Sequence, residues 1–135
     1  MQSSLKNIFL ADDDSDDVFM FEYVLNSLDI QSRLTVAYNG EELLGKLEHD
    51  KIVPDIIFLD INMPKLNGFE TLVKIKEIKA LSAVPAVMYS TCKNESDIAK
   101  AFNDGASSYF VKPTDINDLK GMLTEVLLFN WQEKL

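Results

Sequence analysis

A chain of 135 residues, 47% hydrophobic and 26% charged, has room for one domain with a packed core, and its composition excludes intrinsic disorder. A formal charge of −9 excludes nucleic-acid binding through a basic surface and favours a bound cation or a basic partner face. No apolar run approaches the roughly 18–20 residues of a membrane-crossing helix, so no membrane partner is expected.

The leading residues Met1-Gln2-Ser3-Ser4-Leu5-Lys6 contain no long apolar run of the kind an export signal needs, and Cys92 is the only cysteine. Together they predict a cytoplasmic protein without disulfides.

In chain order, Asn7 to Ala11 reads as a buried strand running into Asp12-Asp13-Asp14. Asp14 or Ser15 caps a helix whose apolar face carries Val18, Phe21, Leu25 and Leu28. Residues 33–37 form a second strand, and Gly40 opens a helix bearing Leu43, Leu44 and Leu47. Pro54 introduces residues 55–59, the most apolar strand and hence the central one, with Asp60 at its carboxyl end. Asn67-Gly68 turns into a helix presenting Phe69, Leu72, Val73 and Ile75. Pro85 starts a strand over 86–90, a helix follows from about Glu95 to Asp104, and Gly105 stops it. Residues 108–111 make a fifth strand, and Asp115 caps a last helix with Ile116, Leu119, Leu123 and Val126 on one face. In the tail, Phe129 and Trp131 are read as packing back on the domain, while His49 reads as a solvated helix-end residue.

Five alternating strands and helices predict right-handed βαβ units, a parallel sheet covered on both faces, and one domain over residues 1–135. The expected fold is the doubly wound (βα)5 flavodoxin-like α/β arrangement, with strand order 2-1-3-4-5. Its core spans about 6–128, a short tail occupies 129–135, and no output domain is expected. Sites in such sheets form outside the carboxyl ends of the strands, near the switch point between strands one and three. Asp12, Asp13 and Asp14 leave the first of these strands and Asp60 leaves the other.

Carboxylates gathered in one crevice repel one another unless a cation lies between them, and hard oxygen donors suit Mg²⁺. Two further strand ends carry complementary groups, the Ser90 hydroxyl and the Lys112 ammonium. Carboxylates, a cation, a hydroxyl and a lysine suit a phosphoryl group, whose transfer is catalysed by positioning and charge neutralisation.

The residues Phe9-Leu10-Ala11-Asp12-Asp13-Asp14, Asp55-Ile56-Ile57-Phe58-Leu59-Asp60-Ile61-Asn62-Met63-Pro64, Asn67-Gly68 and Tyr109-Phe110-Val111-Lys112-Pro113 resemble the motifs of two-component response-regulator receiver domains, over about residues 6–128. The likeness is to stand-alone, chemotaxis-regulator-like members. The resemblance implies that Asp60 takes a phosphoryl group from a phosphohistidine on a sensor histidine kinase or a histidine phosphotransfer protein. It implies Mg²⁺, or Mn²⁺, held by Asp12, Asp13, Asp60 and the backbone carbonyl of Asn62. Lys112 would pair with Asp60 and then with the phosphoryl oxygens, Ser90 would bond the phosphoryl group, and Tyr109 would be the aromatic switch. The Lys112–Pro113 peptide bond is expected to be cis. Thr91 stands where the family usually has Ala or Gly, which implies an altered phosphate lifetime.

Two other functions compete. A phosphorylation-independent adaptor of the same fold would not need the acidic pair, Asp60, Ser90 and Lys112 together. A haloacid-dehalogenase-type phosphatase would carry a second aspartate two residues after its nucleophile, where this chain has Asn62. The receiver reading describes a signalling phospho-acceptor and not a turnover enzyme; it leaves the downstream target open.

Overall fold

The strands of this chain feed two separate cores. In the computed structural model, which describes residues 5–131, the order is β1 (Lys6–Ala11), α1 (Ser15–Ser27), β2 (Ser32–Ala37), α2 (Gly40–His49), β3 (Ile56–Leu59), α3 (Gly68–Glu77), β4 (Ala86–Ser90), α4 (Glu95–Asn103), β5 (Ser108–Val111) and α5 (Ile116–Leu128). A single 3-10 turn, Lys79–Leu81, lies between α3 and β4. Residues 1–4, read above as lacking an export signal, and the tail residues 132–135 lie outside the described residues. None of the described helices is long and apolar enough to cross a membrane.

All five strands pair in parallel in the order β2-β1-β3-β4-β5, as the alternation predicts. Side chains alternate across the sheet with period two, so neighbouring residues enter different cores. Phe9, Ala11, Ile57 and Leu59 pack with Leu43 of α2, Leu72 and Ile75 of α3 and Ala101 of α4. Ile8, Leu10, Ile56 and Phe58 pack on the other side with Phe21 and Leu25 of α1 and Leu119 and Leu123 of α5. β3, whose four residues are all buried, is the middle strand of the five.

Local signals set the helix ends. Asp14 caps α1 by accepting from the N–H groups of Asp16 and Asp17. Asn67 and Glu70 form a reciprocal capping box at α3. Gly105 adopts φ +111 after α4, where a side chain would be strained. Two apolar-face assignments are corrected: Val73 and Ile116 are 40% and 46% exposed. Both lie at the margin of their helical stripe, and helical periodicity does not resolve where a stripe ends. Of the two tail aromatics, Trp131 packs against the α1/α5 core as expected, its indole N–H donating to the Val126 carbonyl at 3.1 Å. Phe129 is corrected: it is 45% exposed and meets the Trp131 ring edge-on.

Candidate functional site

Because the strands run parallel, their carboxyl ends share one edge, and the polar residues that follow them face each other. Asp12 follows β1, Asp60 follows β3, Ser90 ends β4 and Lys112 follows β5. Asp12, Asp60 and Ser90 are the buried polar residues of this edge. Burial of polar groups is costly without partners, so their bonds account for the shape of the site.

The backbone ties each strand end to its neighbour. The Asp60 N–H donates to the Ala11 carbonyl at 2.9 Å, and the Lys112 N–H donates to the Ser90 carbonyl at 2.9 Å. The Asp60 Oδ1 accepts the N–H of Ile61 at 2.8 Å. Beyond it the chain folds back, and Gly68 opens α3 directly against this loop. A Cβ on Gly68 would overlap the Asp60 carbonyl oxygen and stand 2.8 Å from the Ile61 Cα. Only glycine allows that approach.

Lys112 reaches to the centre of the site. Its Nζ lies 2.8 Å from Asp12 Oδ2, 2.7 Å from Asp17 Oδ2 and 3.2 Å from Asp60 Oδ2, and its side chain is only 7% exposed. The ammonium also sits 5.6 Å from the centroid of the Tyr89 ring. Tyr89 is held from below by edge-on contacts with Phe21 and Phe58 at 5.7 and 6.3 Å. The aromatic core thus supports the charged group, since such pairs are worth about 0.5–1.5 kcal/mol beyond area burial. Burial works against the ammonium, but the carboxylates of Asp12 and Asp17 beside it more than offset that and hold Lys112 above the ordinary lysine range.

Asp12 shows the opposite balance. Burial pushes its carboxyl up to about 6 against the pull of the Lys112 ammonium and the Asp14 N–H. Its Oδ1 accepts that N–H at 3.0 Å, while Oδ2 has the Lys112 ion pair but no well-directed hydrogen bond among the described residues. Carboxylate oxygens of Asp12, Asp13 and Asp60 lie within 4.8 Å of one another, with Asp13 exposed to solvent. Three converging hard donors and one under-bonded buried oxygen fit a divalent cation.

The remaining expected residues surround this centre. Ser90 Oγ accepts the Cys92 N–H at 3.2 Å, and the exposed Thr91 lies between them. The Tyr109 hydroxyl donates to the Cys92 carbonyl at 2.7 Å. Burial, with the contacts of Cys92 adding to it, raises the Tyr109 phenol to about 12, so it stays a donor. Asn62 is exposed in the loop two residues after Asp60, and His49 is exposed at the end of α2. The expected cis bond is corrected: no peptide bond among the described residues is cis, so Lys112–Pro113 is trans. An X–Pro bond prefers trans by only about 0.5–1 kcal/mol, so proline permits cis without requiring it. Lys112 reaches all three carboxylates from the trans arrangement.

Asp17 and Tyr89 were not expected at the site. Asp17 belongs to the first turn of α1, which returns over the end of β1; its place six residues after Ala11 was the available signal. Tyr89 lies within the strand expected over residues 86–90, and nothing in the sequence sets it apart from the other residues of that strand.

Comparison with known proteins follows the same outline. The family profile described as "Response regulator receiver domain" matches residues 8–124. The response regulator Rcp1 of Synechocystis is 29% identical over 133 residues, covering 95% of this chain and 90% of its own. The crystal structure of the Mn(2+)-bound form of Rcp1 is similar with a TM-score of 0.81 at 28% identity, covering 96% of each chain. The phosphorylated cyanobacterial phytochrome response regulator RcpA is similar with a TM-score of 0.86 at 27% identity, covering 98% of this chain and 97% of that one.

Proposed function

The chain belongs to the response regulator receiver domain family, and on that premise we propose that Asp60 accepts a phosphoryl group and thereby switches a protein-interaction face. One observation carries the reading: the buried Lys112 ammonium spans the carboxylates of Asp12 and Asp60 from a different strand end. A structural lysine has no need of a buried pair of carboxylates at a sheet edge. A phosphoryl site does, because it must neutralise charge that appears during transfer.

In the proposed reaction, a carboxylate oxygen of Asp60 attacks the phosphorus of a phosphohistidine on a sensor histidine kinase or histidine phosphotransfer protein. The O–P bond forms as the N–P bond breaks, and the imidazole leaves with that electron pair. Lys112 turns its ammonium to the phosphoryl oxygens. Asp12, Asp13, Asp60 and the Asn62 carbonyl would hold Mg²⁺ or Mn²⁺, which would supply charge neutralisation for the transfer. The Mn²⁺ in Rcp1 and the phosphorylation of RcpA support this assignment by likeness.

Phosphorylation adds a charge of roughly −1.5 to −2 and several acceptor oxygens. Ser90 bonds one of them, which draws the segment after β4 inward and breaks its present contact with the Cys92 N–H. Tyr109 changes its packing as that segment moves. The face of α4, β5 and α5 then presents a different surface to a downstream protein. A preference of about 5.5 kcal/mol between the two states would carry the population from 1:99 to 99:1. We read this chain as carrying a receiver unit over the matched residues 8–124, with its switched face turned to a downstream protein in the cytoplasm.

Intact-mass measurement after incubation with acetyl phosphate and Mg²⁺ tests the reading. Wild type gains one phosphoryl group, while Asp60→Asn gains none and chelation of the metal abolishes uptake. Equal labelling of wild type and Asp60→Asn would refute it.

A further inference from the structure

Lys112 has three ammonium protons and three carboxylates around it, and its shortest contact is with the one that the proposed chemistry does not use. The separation is 2.7 Å to Asp17, against 2.8 Å to Asp12 and 3.2 Å to Asp60. The Asp17 contact is also a well-formed hydrogen bond. Asp17 lies on α1, outside the convergent group of Asp12, Asp13 and Asp60. Its side chain is 36% exposed, while those of Asp12 and Asp60 are 0% and 9% exposed. A carboxylate with that much solvent can turn to water at little cost; a buried one cannot. Asp17 is therefore the partner that can release the lysine.

We propose that Asp17 is a positioning residue that holds the Lys112 ammonium as its resting counter-ion and competes for it with the phosphoryl oxygens at Asp60. This role rests on the reading of Asp60 as the phospho-acceptor. A phosphoryl donor arrives as an anion, so Asp17 opposes it twice, by repulsion and by occupying the lysine. With acetyl phosphate, the donor's P–O bond breaks as the Asp60 O–P bond forms. Acetate leaves with the electron pair, and Lys112 exchanges Asp17 for the new phosphoryl oxygens. Asp17 thus slows uptake in the resting protein.

The initial rate of Asp60 labelling by acetyl phosphate at saturating Mg²⁺, followed by intact mass, tests this role. Asp17→Asn should label at least about threefold faster than wild type. Asp17→Glu keeps a carboxylate within reach of Lys112 and should restore the slow rate. Asp16→Asn removes the same charge from the same exposed helical turn and should leave the rate unchanged. Asp17→Ser, which also suits a first turn, should repeat the Asp17→Asn result if that variant proves poorly folded. A rate for both neutral variants at or below wild type, or an equal acceleration in Asp16→Asn, would overturn the role of Asp17 and leave the reading of Asp60 intact. Absence of labelling in wild type itself would instead remove the Asp60 reading, and this role with it.

Discussion

The Tyr109 hydroxyl donates to the Cys92 carbonyl at 2.7 Å, tying β5 to the segment that leaves β4 seventeen residues earlier in the chain. This bond joins the aromatic residue to the same short segment that begins at Ser90. Ser90 itself accepts from the Cys92 N–H, so both ends of the Cys92 backbone are engaged in the resting arrangement. Tyr109→Phe removes the donor and leaves the carbonyl without it. Urea denaturation should show a loss of about 0.5–1.5 kcal/mol, the net worth of an ordinary hydrogen bond. Phosphoryl uptake at Asp60 should persist, because the bond removed goes to the Cys92 carbonyl and not to Asp60 or Lys112.

Gly68 is where the backbone leaves least room near Asp60. In Gly68→Ala the added Cβ meets main-chain atoms of Asp60 and Ile61, which cannot move aside as a flexible side chain could. The variant should lose about 1–3 kcal/mol of stability and label more slowly with acetyl phosphate. A denaturation curve and a labelling time course check both effects on one preparation.

The position of the Asp12 titration makes cation binding pH-dependent. Its carboxyl is pushed up to about 6, so a proton competes with a divalent cation below that value and not above it. Affinity for Mg²⁺, measured by calorimetry, should be flat above about pH 7 and weaken by up to about tenfold per unit below about pH 6. Stability of the metal-free protein responds with the other sign. The folded value exceeds the unfolded one near about 3.9, so the cost of burying ionised Asp12 is fully present above the folded value. That cost is relieved as pH falls from about 6 towards about 4, where the folded state binds the additional proton.

Thr91 follows the buried Ser90 and is itself exposed. Thr91→Ala removes side-chain bulk next to Ser90 and should admit water more readily to the phosphoryl group. The phosphoryl group on Asp60 should then be lost about two- to fivefold faster, timed by intact mass after removal of the donor. An unchanged rate would show that Thr91 does not control access.

Much of this site is legible in the amino-acid sequence. Apolar strands alternating with amphipathic helices are enough for the parallel order, and that order brings Asp12, Asp60, Ser90 and Lys112 to one edge. Two caps were legible for the same local reason: the Asp14 and Asp115 side chains bond N–H groups two or three residues ahead. What escaped depends on three-dimensional direction. Asp17 looked like one more acidic residue in a first helical turn, and only the path of α1 over β1 aims it at Lys112. Tyr89 lies beneath the same ammonium because β4 and β5 are neighbours with Met88 opposite Tyr109. The isomer of the Lys112–Pro113 bond was misjudged because a proline in the sequence allows either form.

The most direct measurement is chemical trapping of the modified residue. Borohydride reduces an aspartyl phosphate to homoserine, and peptide mass spectrometry then locates the converted position. After treatment with acetyl phosphate and Mg²⁺, homoserine is expected at position 60 and nowhere else. Conversion at Asp12, Asp13 or Asp17, or no conversion in protein that has gained a phosphoryl group, would contradict the assignment of Asp60.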